Sequence, residues 1–109
     1  MRLVLDAEAV TALVVDGHSA RRHVQRHLAT AHRLGRPVCI ASVTLAELYR
    51  GRRRTRAVDA LRSRLGDLLT RDTDPDFARL VGSILFEAGV GSAHLADAHA
   101  VAVAVEVGG

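Results

Sequence analysis

The chain begins Met1-Arg2-Leu3-Val4-Leu5-Asp6, and a second segment, Val38-Cys39-Ile40-Ala41, repeats its plan: a short apolar run that stops and gives way to residues with helical spacing. Apolar runs without polar alternation suit strands covered on both faces, the usual state of a parallel sheet's interior. Strand followed by helix, twice over, points to an α/β fold. Asp6 then stands at the carboxyl end of a strand, the edge at which open α/β sheets bind their ligands. Asp is also a preferred N-cap, accepting from the free amides of the helix that follows, and on its own the residue suits either role.

Size and composition narrow the class. With 109 residues the sequence suffices for one core and one domain, residues 1–109. It is 49% hydrophobic but only 3% aromatic and has no Trp, so the core falls to Val, Leu, Ala and a little Ile. Cys39 is the single cysteine, which rules out an intrachain disulfide and suits a reduced, cytoplasmic setting. The amino terminus lacks a signal peptide's apolar segment, and no apolar run approaches the ~20 residues that cross a bilayer. All 15 basic residues are Arg, and the net charge of +3 favours a polyanionic partner.

Along the chain, Ala9, Val10, Leu13 and Val14 recur at helical spacing, with Gly17 as a left-handed stop. Ser19 is placed to cap a second helix running to about Leu34, terminated by Gly35 and Pro37. That helix carries His23 and His27 at i, i+4; with no carboxylate or cysteine nearby in sequence, its histidines and arginines read as a solvated face. After the second strand, Thr44 and Glu47 form a Thr-x-x-Glu capping box, predicting a helix from Leu45. Arg50, Arg52, Arg53, Arg54 and Arg56 crowd a loop; without interleaved aromatics they suit backbone phosphates or an acidic protein rather than base reading. Val58, Leu61 and Leu65 continue a helix to Gly66, and Asp67–Thr70 reads as a third, shorter strand. Asp74-Pro75 opens a helix with an apolar stripe through Phe77, Leu80, Val81, Ile84 and Leu85, closed at Gly89. The last helix, from Ser92 or Ala93, is apolar almost all round, which predicts that it is largely buried.

Asp97 is the exception on that last helix. The dipole of a first turn favours an acid by only about 0.3–1 kcal/mol, far less than an unpaired buried charge costs, so a bound cation is expected beside it. Asp6, Glu47 and Asp97 each lie where a strand ends or a buried helix begins, and right-handed parallel connections gather such ends at one edge. Clustered carboxylates repel unless a divalent cation neutralises them. Oxygen ligands with open water positions describe Mg2+ or Mn2+ better than zinc, and such a site activates water against a phosphodiester.

Leu5-Asp6, Val43-Thr44-Leu45-Ala46-Glu47-Leu48 and Leu95-Ala96-Asp97-Ala98-His99-Ala100-Val101-Ala102 together resemble the PIN-domain ribonucleases, specifically VapC-type toxins of bacterial toxin–antitoxin pairs. The resemblance spans essentially the whole chain. It implies a three-layer α/β/α fold with a parallel sheet and a magnesium-dependent endoribonuclease that hydrolyses RNA, neutralised by a VapB-like antitoxin and commonly homodimeric. Asp6, Glu47 and Asp97 match the family's metal-binding acids, and Arg50, Arg52, Arg53 and Arg54 supply an RNA or partner surface. Two departures stand out. The family's further strand with a fourth acid lies beyond the equivalent of Gly108-Gly109, so the expected fold is a PIN-like domain lacking that strand. His94 replaces an acid often found three residues before the one matched by Asp97, on the same helix face, within reach of a metal or phosphate. The alternative is a catalytically inactive PIN-like module that still binds RNA or antitoxin; a plain α/β interaction domain whose acids only cap helices is the blander reading.

Overall fold

A computed structural model describes residues 2–50 and 54–108. Its three strands, β1 (Leu3–Leu5), β2 (Val38–Ala41) and β3 (Leu69–Arg71), form one sheet in the order β1-β2-β3. Both pairings are parallel, with Val4 opposite Cys39 and Ile40 opposite Thr70. The helices are α1 (Ala7–Val14), α2 (Arg21–Arg33), α3 (Ser42–Tyr49), α4 (Thr55–Leu65), α5 (Pro75–Ala88) and α6 (Leu95–Glu106). A short 3-10 turn over Ser92–His94 leads into α6. The mixed α/β class with a parallel sheet is as the sequence predicted.

Strand alternation divides the interior in two. Leu5 and Ile40 enter an apolar cluster with Val10, Leu13, Leu45, Leu48, Val58 and Leu61, drawn from α1, α3 and α4. Cys39 and Ala41, one residue out of phase on β2, enter a second cluster with Phe77, Val81, Ala98, Ala102 and Val103 from α5 and α6. Helices thus cover both faces, which is why the strands carry no polar alternation. The second layer is built largely of Ala and Val, and Phe77, 1% exposed, is the large side chain that fills it. Complete burial of such a ring contributes about 1.5–3 kcal/mol.

Several helix boundaries differ from expectation. The structure starts α2 at Arg21 after Ala20, with no side-chain cap; Ser19 does not cap it, and the turn is held by the Ala20 amide donating to His18 Nδ1 at 3.1 Å. At α3 the predicted capping box is absent. That helix starts at Ser42, directly off β2, and Thr44 is buried inside it with its hydroxyl unpartnered. β3 lies slightly later than predicted, at Leu69–Arg71. The Asp74-Pro75 signal is realised as expected: Asp74 accepts from the Phe77 amide at 2.8 Å, and Gly89 closes the helix at φ 67°.

α6 is not buried all round. Ala98, His99, Ala100, Ala102 and Val103 face the interior, while Leu95, Val101 and Val105 remain 42%, 49% and 55% exposed. Val103, Glu106 and Val107 line a recess with Arg2, Cys39 and all of β3, from Leu69 to Arg71. No described helix is long and apolar enough to cross a membrane.

Candidate functional site

Because all three strands are parallel, the residues that follow them meet at one edge of the sheet: Asp6 after β1, Ser42 after β2 and Asp72 after β3. Two of these are already in contact, the Ser42 hydroxyl donating to Asp72 Oδ1 at 2.5 Å. Asp6 is exposed and caps α1, its Oδ1 accepting from the Ala9 amide at 2.8 Å. Its extended backbone, at φ −92° and ψ 177°, is the conformation a cap requires. The second carboxylate oxygen appears in no hydrogen bond among the described residues, so capping and ligand binding do not compete for the same atom.

Glu47 lies in the second turn of α3, exposed, with Oε1 3.3 Å from the Arg50 guanidinium. The pair is a surface contact one turn apart and adds little to stability. Its consequence is electrostatic: the first of the loop arginines shares the acid that was expected to face a cation. Arg50 itself is 78% exposed. Arg54 is exposed at the start of α4. Arg52 and Arg53 lie outside the described residues.

Asp97 sits in the first turn of α6 as predicted, but its side chain is 73% exposed rather than buried. The expectation of a cation was argued from the cost of burying its charge, and water removes that cost. His94 Nδ1 approaches it at 3.7 Å, so the two do share a face. The buried polar residue of this helix is His99, 4% exposed, whose Nδ1 lies 2.7 Å from the Leu95 carbonyl and whose Nε2 has no partner among the described residues.

Asp6, Glu47 and Asp97 present oxygen donors open to solvent, a donor set suited to a hard cation that keeps part of its water shell. Among the described residues, no three or more His, Cys, Asp or Glu side chains stand together as a metal-binding group. The chemistry of the acids thus fits magnesium, while their arrangement forms no closed cage.

Two polar clusters were not anticipated. The Arg71 guanidinium, at the end of β3, lies 4.4 Å from the centre of the Phe77 ring and bonds Glu106 and Asp74. The Arg71–Asp74 spacing was visible in sequence; the partner on α6 was not. Tyr49 donates to Asp59 at 2.5 Å and accepts from Arg62 at 3.2 Å, joining α3 to α4. Asp59 and Arg62 also line a cavity of about 390 Å³ with Ser63, Gly66, Leu68 and Thr70. Compared with protein-family models, with curated proteins and with solved structures, the chain finds no match in any of the three.

Proposed function

We propose that this chain is a PIN-like, VapC-type endoribonuclease that hydrolyses RNA with Mg2+ or Mn2+ and is held in check by an acidic, VapB-like antitoxin, working as a homodimer in the cytoplasm. The observation that carries the reading is Asp6, an exposed acid one residue past the carboxyl end of a parallel strand, on the edge that also holds Ser42 and Asp72. Asp97, exposed in the first turn of α6, and Glu47, on α3, are the further acids assigned to it. A cation bound there would supply an activated water and neutralise charge on the phosphodiester. In this reading Asp6 and Asp97 hold the ion, Glu47 holds it or orients the water, and Arg50 and Arg54, with Arg52 and Arg53, attract the RNA backbone. His94, beside Asp97, is positioned to contact a phosphate.

The test is cleavage of RNA by the purified chain with and without added Mg2+. Metal-dependent cleavage that disappears in Asp6→Asn and in Asp97→Asn, with folding intact, supports the assignment; equal cleavage by those variants overturns it.

A second reading rests on the exposed Arg50 and Arg54: an inactive module that binds RNA or antitoxin through its arginines. It predicts RNA affinity that falls steeply with salt and no metal-dependent turnover, so affinity and cleavage measured on one preparation separate the two.

A further inference from the structure

We propose that His23 and His27, on the outer face of α2, form a bidentate site for a borderline transition-metal ion such as Zn2+ or Ni2+, separate from the carboxylate edge. The two side chains are one helical turn apart and exposed. Their Nε2 atoms point at each other across 3.2 Å, with ring centroids 4.6 Å apart and the rings inclined at 76°. Two imidazole nitrogens bound at about 2.0–2.1 Å lie about 3.3–3.4 Å apart on a tetrahedral ion and about 2.9 Å apart when they subtend a right angle. The observed separation falls between these values. The spacing of the two nitrogens thus suits one shared ion, each ring turning so that the two lone pairs meet off the line that joins them.

In the empty pair the same contact is an N–H···N hydrogen bond, which requires one Nε2 protonated and one bare. Binding needs both Nε2 lone pairs, so that proton moves to Nδ1 of the same ring by exchange with solvent, leaving two neutral imidazoles as ligands. Waters complete the coordination, since no third His, Cys, Asp or Glu joins the pair among the described residues. Arg22 and Arg26 are the pair's sequence neighbours, so attraction by charge is absent and binding rests on nitrogen coordination. That selects Zn2+ or Ni2+ over Mg2+, which prefers oxygen ligands.

The location gives the ion something to do. α2 has no side-chain cap at its amino end, and Ala31 is its one fully buried residue. A chelate across one turn fixes helical dihedrals whose ordering is otherwise costly, so the metal holds α2 in its helical form.

The test is calorimetric titration of the whole chain with NiCl2 or ZnCl2 in a non-coordinating buffer, comparing the natural sequence with His23→Gln, His27→Gln and the control His32→Gln. The expected result is one ion per chain, at least tenfold weaker binding in either pair variant and unchanged binding in the control. Thermal stability should rise with metal in the natural sequence and the control alone. Circular dichroism verifies that the variants keep their helix content. Equal affinity in all four proteins, or no binding to the natural sequence, overturns the proposal. RNA cleavage with Mg2+ plays no part in the outcome.

Discussion

Arg71 and Glu106, on different sides of α5 in sequence, are joined by a two-point contact: Arg71 Nε to Glu106 Oε1 at 2.6 Å and Arg71 Nη2 to Oε2 at 2.8 Å. The same guanidinium donates to Asp74 Oδ2 at 3.2 Å and to the Asp72 carbonyl at 2.6 Å. It therefore ties the end of β3 both to the start of α5 and to the last turn of α6. The paired geometry sets it apart from a single-point surface ion pair.

This contact makes stability depend on acidity. Arg71 donates to the charged form of Glu106 and lowers its pKa, and the Phe77 amide, followed by Arg71, does the same for Asp74. A carboxylate whose folded pKa is lowered stabilises the fold at pH above its unfolded value, and the contribution fades as pH falls through the lower folded value. Glu106→Gln should reduce the Tm at neutral pH by about 2–4 °C. The gap to the natural sequence should close in acid, below the ordinary carboxyl range. Thermal melts of both proteins between pH 7 and pH 2 measure this; a gap that stays constant contradicts it.

Asp6 caps α1, and the proposed ribonuclease reading gives it a second, separable role. Asn also caps helices well, so Asp6→Asn should change unfolding free energy by less than about 0.5 kcal/mol, while Asp6→Ala should cost about 1 kcal/mol. Both should abolish metal-dependent cleavage. Denaturant titrations beside an RNA cleavage assay show whether stability and activity part company at this residue.

Thr44 offers a test whose sign discriminates. A Thr serving as N-cap loses about 0.5–2 kcal/mol on replacement by an apolar residue. In this structure its hydroxyl is buried without a partner, so Thr44→Val, nearly the same shape, should leave stability unchanged or raise it by up to about 1 kcal/mol. The urea midpoint reads the difference directly.

What could be read ahead of the structure was mostly punctuation and period. Leu3–Leu5 and Val38–Ala41 declared themselves as covered strands because both of their faces meet helices. Asp74-Pro75 and Gly89 marked α5 because caps act through atoms a few residues away. Errors arose where a local signal competed with a longer-range one. Thr44 and Glu47 have capping-box spacing, yet α3 springs straight from the end of β2, and Thr44 is buried within it rather than standing at its start. Asp97 was judged by the apolarity of its helix, although only one side of that helix finds the sheet. Of the site, the edge bearing Asp6 was legible from strand direction. Asp72 on that edge, bonded by Ser42 from thirty residues away, was not.

Cys39 lies at the middle of β2, 4% exposed, and belongs to the apolar layer shared with Phe77 and Val103. Burial pushes its thiol pKa up, against a smaller opposing pull from Arg2, so the reactive thiolate is scarce as well as hidden. Cys39 also lines the recess with Arg2, Leu69 and Val103, so an alkylating reagent reaches this sulfur when the walls of that recess part. With no other thiol in the sequence, the progress of labelling under native conditions follows the opening of this one recess, undiluted by signals from elsewhere in the molecule.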